Sequence, residues 1–197
     1  MLWMVCTVPG RRPLRVWTTG EAEDPAGQFF DLHFGFQPTT LIGKRRWFRL
    51  PLWIRYLDWE NPEAEISVEK LLAPRRRTPR GRFCNFIYSN DLAIRAEFFV
   101  RFDRERAVDS LGRVLNNRGQ RPEGRDGKLA VLRACLFTIA FENRISPGYV
   151  TEKLLHPLQA GSIPIYWGAR EALSDFNPEA FVYAPDFEDF DALVRHV

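Results

Sequence analysis

An α/β fold built on a Rossmann-like parallel sheet is the architecture this sequence predicts, and three observations predict it. From residue 83 onward, short apolar runs alternate with amphipathic stretches, which is the pattern of successive βαβ units and implies a sheet covered on both faces. Residues 58–82 combine charge, three prolines and an Arg run, the composition of a connector over the surface. The length of 197 residues, with 45% hydrophobic and 27% charged residues, suits one large or two small globular domains and excludes a disordered or fibrous chain.

The elements follow in order. MLWMVCTVP reads as a strand or a ragged start, too short for a membrane helix and without the basic flank of a signal peptide. LRVWTT, then DLHFGF after the Pro25-Ala26-Gly27 turn, then RWFRLPLWI read as short strands. These make residues 1–60 one unit, 61–82 a linker and 83–197 a second unit. In the second unit RFCNFIYSN is a strand, AIRAEFFVRFDRE a helix and AVDSLG a strand end. KLAVLRACLFTIAFEN passes from helix into strand, VTEKLLHPLQAG is a helix and IPIYWG a buried strand. REALSDF, FVYAPDF and DFDALVRHV continue the alternation.

Several functions are excluded at this level. Lys plus Arg number 28 against 25 Asp plus Glu, a net charge of +3, which is too small for nucleic-acid binding by bulk charge. The run RRRTPRGR lacks interleaved aromatics and reads as a solvated linker rather than an RNA or lipid site. Cys6, Cys84 and Cys135 form no CxxC pair, and His33, His156 and His196 are scattered. No disulfide framework or bound metal is therefore expected, and a reducing, cytoplasmic location is the default. There is no GxGxxG and no GK[ST], which argues against a dinucleotide oxidoreductase and a P-loop NTPase.

The segment FENRISPGYVTEKLLHPLQAGSIPIYWGA carries the most information. Its polar loop falls at the carboxyl end of a strand, where open α/β sheets bind ligands. Thr151 is placed to cap a helix, whose free N–H groups beside Lys153 suit a phosphate, while Glu152 can accept from sugar hydroxyls. Pro157 removes the hydrogen bond back to residue 153 and is expected to kink that helix. Arg95 lies one turn into a helix after FIYSN, aimed at the same sheet edge. Glu142 reads equally as a structural carboxylate or an acid of the site. Trp47, Trp53, Trp59 and Trp167 are candidates for stacking on sugars or, more commonly, for the core.

The string FEN…YVTEKL…AGSIPIYWG, followed by DFNPEAFV, resembles the signature of glycosyltransferase family 10, the α1,3/α1,4-fucosyltransferases, and is similar to bacterial members. FIYSNDLAIR, DSLG and LRVWTTGE extend the resemblance over most of residues 14–190. It implies a GT-B-like fold, with a partial N-terminal α/β domain on the acceptor side and a C-terminal domain that binds GDP-fucose. It implies that Arg95 and Lys153 hold the diphosphate, that Ser89 and Asn90 line the same mouth, and that Asn143, Tyr149 and Glu152 contact nucleotide and sugar. Glu21 would be the general base, ahead of its neighbours Glu23 and Asp24. The implied reaction is inverting transfer of L-fucose to a glycan hydroxyl, N-acetylglucosamine in α1,3 linkage being the expected case, with no metal cofactor. Peripheral contact with a membrane, through a lipopolysaccharide acceptor, is compatible with this. Relative to the family the chain reads as truncated, so an incomplete first sheet is expected to expose apolar edges around Trp3, Trp17 and Trp47.

Overall fold

A computed structural model describes residues 2–6, 9–10, 12–18, 30–42, 46–64, 66–73 and 79–197. Two sheets organise them. The first comprises β1 (Leu2–Cys6), β2 (Leu14–Thr18), β3 (Leu32–Gly35) and β4 (Trp47–Arg49), in that spatial order. β1 pairs antiparallel with β2, while β2, β3 and β4 run parallel. A short helix, α1 (Thr39–Ile42), precedes β4. Only three residues of the expected strand RWFRLPLWI are extended. Pro51 ends it, and Leu52–Tyr56 form a 3₁₀ helix.

Trp17 and Trp47 do not form an exposed edge. Both are buried, their rings 5.9 Å apart and each packed against His33, so the parallel pairing of β2, β3 and β4 stacks them on one face. The side chain of Trp3 lies outside the described residues.

Segment 61–82 also differs from a surface connector. It contains α2 (Val68–Leu72), capped by Ser67, whose Oγ accepts from the Lys70 N–H at 3.2 Å. Ile66 is buried with Leu57, Leu129 and Leu155. The prolines and charges around it hide a capped turn that carries one core residue. Arg75, Arg76 and Arg77 lie outside the described residues. Arg80 donates to the carbonyls of Arg133, Ala160 (3.2 Å) and Gly161 (3.0 Å), and so neutralises two helix C-termini at once.

The second sheet is parallel throughout, in the order β6-β5-β7-β8-β9. Its strands are β5 (Arg82–Phe86), β6 (Val108–Ser110), β7 (Cys135–Phe141), β8 (Ile163–Trp167) and β9 (Val182–Tyr183). The helices are α3 (Ala93–Glu105), α4 (Gly124–Ala134), α5 (Glu152–Ala160), α6 (Ala172–Asp175) and α7 (Phe190–His196). From β5 the chain passes to β6 on one side and then to β7 on the other, which creates a topological switch between β5 and β7.

β7 shows why the sheet is covered on both faces. Ile139 and Phe141 pack with Phe98 and Phe102 of α3 and Leu193 of α7, whereas Ala140 packs with Leu154 of α5. A strand buried on both sides needs a continuous apolar run, and CLFTIAF supplies it. α5 is fixed at both ends, by Thr151 as N-cap and by Gly161 in the left-handed region (φ +72°). The helix continues through Pro157 to Ala160.

The two parts of the chain are clamped together. Arg49 donates to both oxygens of Asp175, each at 2.8 Å, and Trp53 Nε1 adds a third bond at 3.1 Å. Gly148 (φ +74°) lies so close to the Phe36 carbonyl that a β-carbon there would overlap its oxygen.

Candidate functional site

A cavity of about 270 Å³ opens at the switch point, over the carboxyl ends of β5 and β7. Ser89 and Asn90 enter it from the loop after β5, Asn143 from the loop after β7, Arg95 from α3, and Glu152 and Lys153 from the first turn of α5. Six of the residues expected in the site thus share one hollow.

Arg95 is the unusual group. Residues 95, 98, 99 and 102 form the inward stripe of α3, with helical spacing, and three of the four are Phe. The fourth position carries a guanidinium that is 1% exposed. Nη2 donates to the Phe141 carbonyl and to Asn143 Oδ1 (2.9 Å), and Nη1 donates to the Asn90 carbonyl (3.4 Å). Tyr88 lies beneath it, 5.9 Å from the ring centroid. Nε has no hydrogen-bond partner, and among the described residues no carboxylate stands within ion-pair distance. Burial accordingly holds the guanidinium below its usual range, Glu142 partly offsetting the effect. A buried cation without a counterion is costly unless something anionic completes it.

Lys153 is held differently. Its Nζ is 3.3 Å from Glu142 Oε2 and 3.4 Å from Glu152 Oε1. Burial opposes its charge, but the two carboxylates outweigh burial and push the ammonium above its usual range. Glu142 is fully buried and accepts from the Thr151 N–H (2.8 Å) and hydroxyl (2.9 Å). It is therefore a structural carboxylate that positions the helix start and Lys153. Burial pushes Glu142 up, against Lys153 and Thr151. Burial also resists ionisation of Glu152, yet Lys153 and Lys128 outweigh it and hold that carboxyl below its usual range.

Tyr149 does not line this cavity. It is buried against Phe36, with ring centroids 5.4 Å apart, at the contact between the two parts of the chain. Glu21, Glu23 and Asp24 lie outside the described residues. Of the tryptophans, Trp47 is core and Trp53 is bonded to Asp175, while Trp59 is 61% exposed. Lys128 of α4 lines the cavity and was not expected there. It sits between Arg125 and Arg133 of the same helix, and no local pattern marks it out. Among the described residues no group of His, Cys, Asp and Glu is arranged to hold a metal ion, and no helix is long and apolar enough to cross a membrane.

Residues 82–197 match the family model for glycosyltransferase family 10 (fucosyltransferase), C-terminal part. The chain belongs to glycosyltransferase family 10. Among the relatives of this family-10 chain is an α-(1,3)-fucosyltransferase, FucT, of Helicobacter pylori, 31% identical over 93% of the chain and 43% of the relative. The α-(1,3)-fucosyltransferase B of Drosophila melanogaster is 31% identical over 95% of the chain and 46% of the relative. The chain spans less than half the length of these two relatives. A crystal structure of an α1,3-fucosyltransferase with GDP-fucose superposes with a TM-score of 0.73 at 29% identity, covering 92% of this family-10 chain and 60% of the other.

Proposed function

We propose that the chain is part of a GT-B fucosyltransferase, that it binds GDP-fucose in the cavity at the switch point, and that it transfers fucose to a glycan hydroxyl with inversion. The observation that carries this is Arg95: a buried cation without a counterion faces the same hollow as Lys153 and awaits an anion. A diphosphate supplies that anion, and Glu152, ionised at neutral pH, accepts from the ribose or sugar hydroxyls. The likeness to an α1,3-fucosyltransferase crystallised with GDP-fucose supports the same donor.

In the proposed reaction an acceptor oxygen attacks the anomeric carbon from the face opposite the diphosphate. The bond from that carbon to the diphosphate oxygen breaks, its electron pair stays on GDP, and the acceptor proton passes to a carboxylate proposed to be Glu21. Arg95 and Lys153 stabilise the charge that grows on the leaving group, the largest electrostatic task in such a transfer, and in this reading they take the place of a metal. The β-linked donor then gives an α-fucoside. N-acetylglucosamine, fucosylated in α1,3 linkage, is the proposed acceptor.

Calorimetric titration with GDP-fucose, GDP-mannose and UDP-glucose, paired with a transfer assay on an N-acetylglucosamine glycan, tests this. Preference for GDP-fucose with transfer is the expected result. Equal affinity for UDP-glucose would move the chain to another donor, and binding without transfer would make it a nucleotide-sugar-binding module.

A further inference from the structure

Lys128 stands where the donor cavity meets a second hollow. It lines the first with Arg95, Glu152 and Lys153, and it lines a neighbouring hollow of about 530 Å³ with Tyr56, Trp59 and His156. At about 270 Å³ the first hollow lies just below the range of roughly 300 to 1,000 Å³ usual for a ligand site, and the wall it shares with the second is Lys128. Arg95, Lys153 and Glu152 line the first hollow alone, whereas Lys128, within electrostatic reach of both Glu152 and Lys153, lines both hollows. A nucleoside diphosphate with its phosphates at Arg95 and Lys153 would bring its base toward the hollow that Lys128 shares.

Lys128 is half-buried and has no carboxylate within ion-pair distance among the described residues. Burial holds its ammonium below the usual lysine range, with Glu152 opposing. Beyond it the hollow has aromatic walls suited to a flat ring. Trp59 is exposed, yet its indole N–H is fixed to the Ile54 carbonyl at 3.0 Å, and Tyr56 packs edge-on to His156, 6.1 Å between ring centroids.

We propose that Lys128 is a specificity-determining residue that reads the purine of the nucleoside diphosphate, its ammonium donating to guanine O6 and N7. It thereby separates guanine from adenine, which carries a donor amino group in place of O6. This inference rests on the donor reading above.

The test titrates the full chain with GDP, IDP and ADP. The parent is expected to bind GDP and IDP alike, because both present O6 and N7, and to bind ADP more weakly. Lys128→Met is expected to lower GDP affinity by about 5- to 100-fold while leaving ADP nearly unchanged, with Lys128→Arg keeping the preference. Equal losses for GDP and ADP would make Lys128 a third phosphate cation and overturn the inference. So would IDP binding as weakly as ADP, which needs no variant to observe and would place recognition on the 2-amino group. A parent that binds none of the three diphosphates overturns the donor reading itself, and the inference falls with it.

Discussion

Lys153 Nζ lies 3.3 Å from Oε2 of Glu142, a carboxylate with no solvent exposure, and the same carboxylate accepts the Thr151 N–H at 2.8 Å. One side chain thus fixes both the start of α5 and the cation beside it. The FEN and TEK parts of the sequence meet at this point.

Glu142→Gln keeps the shape and removes the charge that holds Lys153. Breaking a buried pair from one side is strongly destabilising, but Lys153 is partly exposed and burial already disfavours the Glu142 charge, so a loss of about 2 to 3 kcal/mol is expected. Urea unfolding measures it. An unchanged midpoint would show that the carboxylate does not hold the helix start.

Arg95→Met should separate binding from stability. The variant loses hydrogen bonds to Asn90, Phe141 and Asn143 but also relieves a buried, unpaired charge. The net change in unfolding free energy is expected to stay within about 1 kcal/mol. GDP affinity is expected to fall by about tenfold or more, the scale of a hydrogen bond to a charged group. Large destabilisation with intact GDP binding would make Arg95 a structural residue.

His156 predicts a pH dependence. Burial, aided by Lys128 and Arg125 and opposed by Glu152, pushes its imidazole down to about 4 from the usual 6.5. Between these values the unfolded chain binds more protons than the folded one. Stability is therefore fully present above about pH 6.5 and is lost as the pH falls toward 4, by about 3 kcal/mol. His156→Gln should flatten that part of the profile. Urea midpoints at pH 4.5, 5.5 and 7 check it, and equal slopes in parent and variant would contradict the assignment.

The alternation after residue 82 was legible because β7 and β8 are largely apolar runs and α5 between them carries its own punctuation in Thr151 and Gly161. Arg95 was readable from its place one turn into the helix after FIYSN, whereas its burial on a stripe of Phe is a product of how α3 packs. Lys128 and Tyr56 were not legible. Lys128 reaches the cavity at the switch point, and Tyr56 the hollow beside it, from elements distant in sequence, and nothing within α4 or the 3₁₀ turn distinguishes them from solvated neighbours. α2 escaped notice because five helical residues between prolines give no periodicity. The burial of Trp17 and Trp47 was missed because sheet register, rather than composition, decides which face a ring occupies.

Gly148→Ala tests the contact between the two parts of the chain. The position combines a left-handed backbone (φ +74°) with close approach to the Phe36 carbonyl, so the substitution both strains the backbone and forces the contact apart. A loss of about 1 to 3 kcal/mol is expected from the backbone alone, with a further loss from displacement of Phe36. Thermal unfolding reads the sum. A neutral result would mean that the loop before α5 is not held against β3.

The most direct measurement is titration of GDP into the parent, Lys153→Ala and Arg95→Ala, each in excess chelator. The expected result is saturable binding by the parent without divalent metal, weakened by roughly 1.5 to 3 kcal/mol in each variant, the scale of a charge-assisted hydrogen bond. If both variants bind GDP as the parent does, or if the parent binds only when a divalent metal is restored, then the paired cations at the switch point are not what holds the diphosphate.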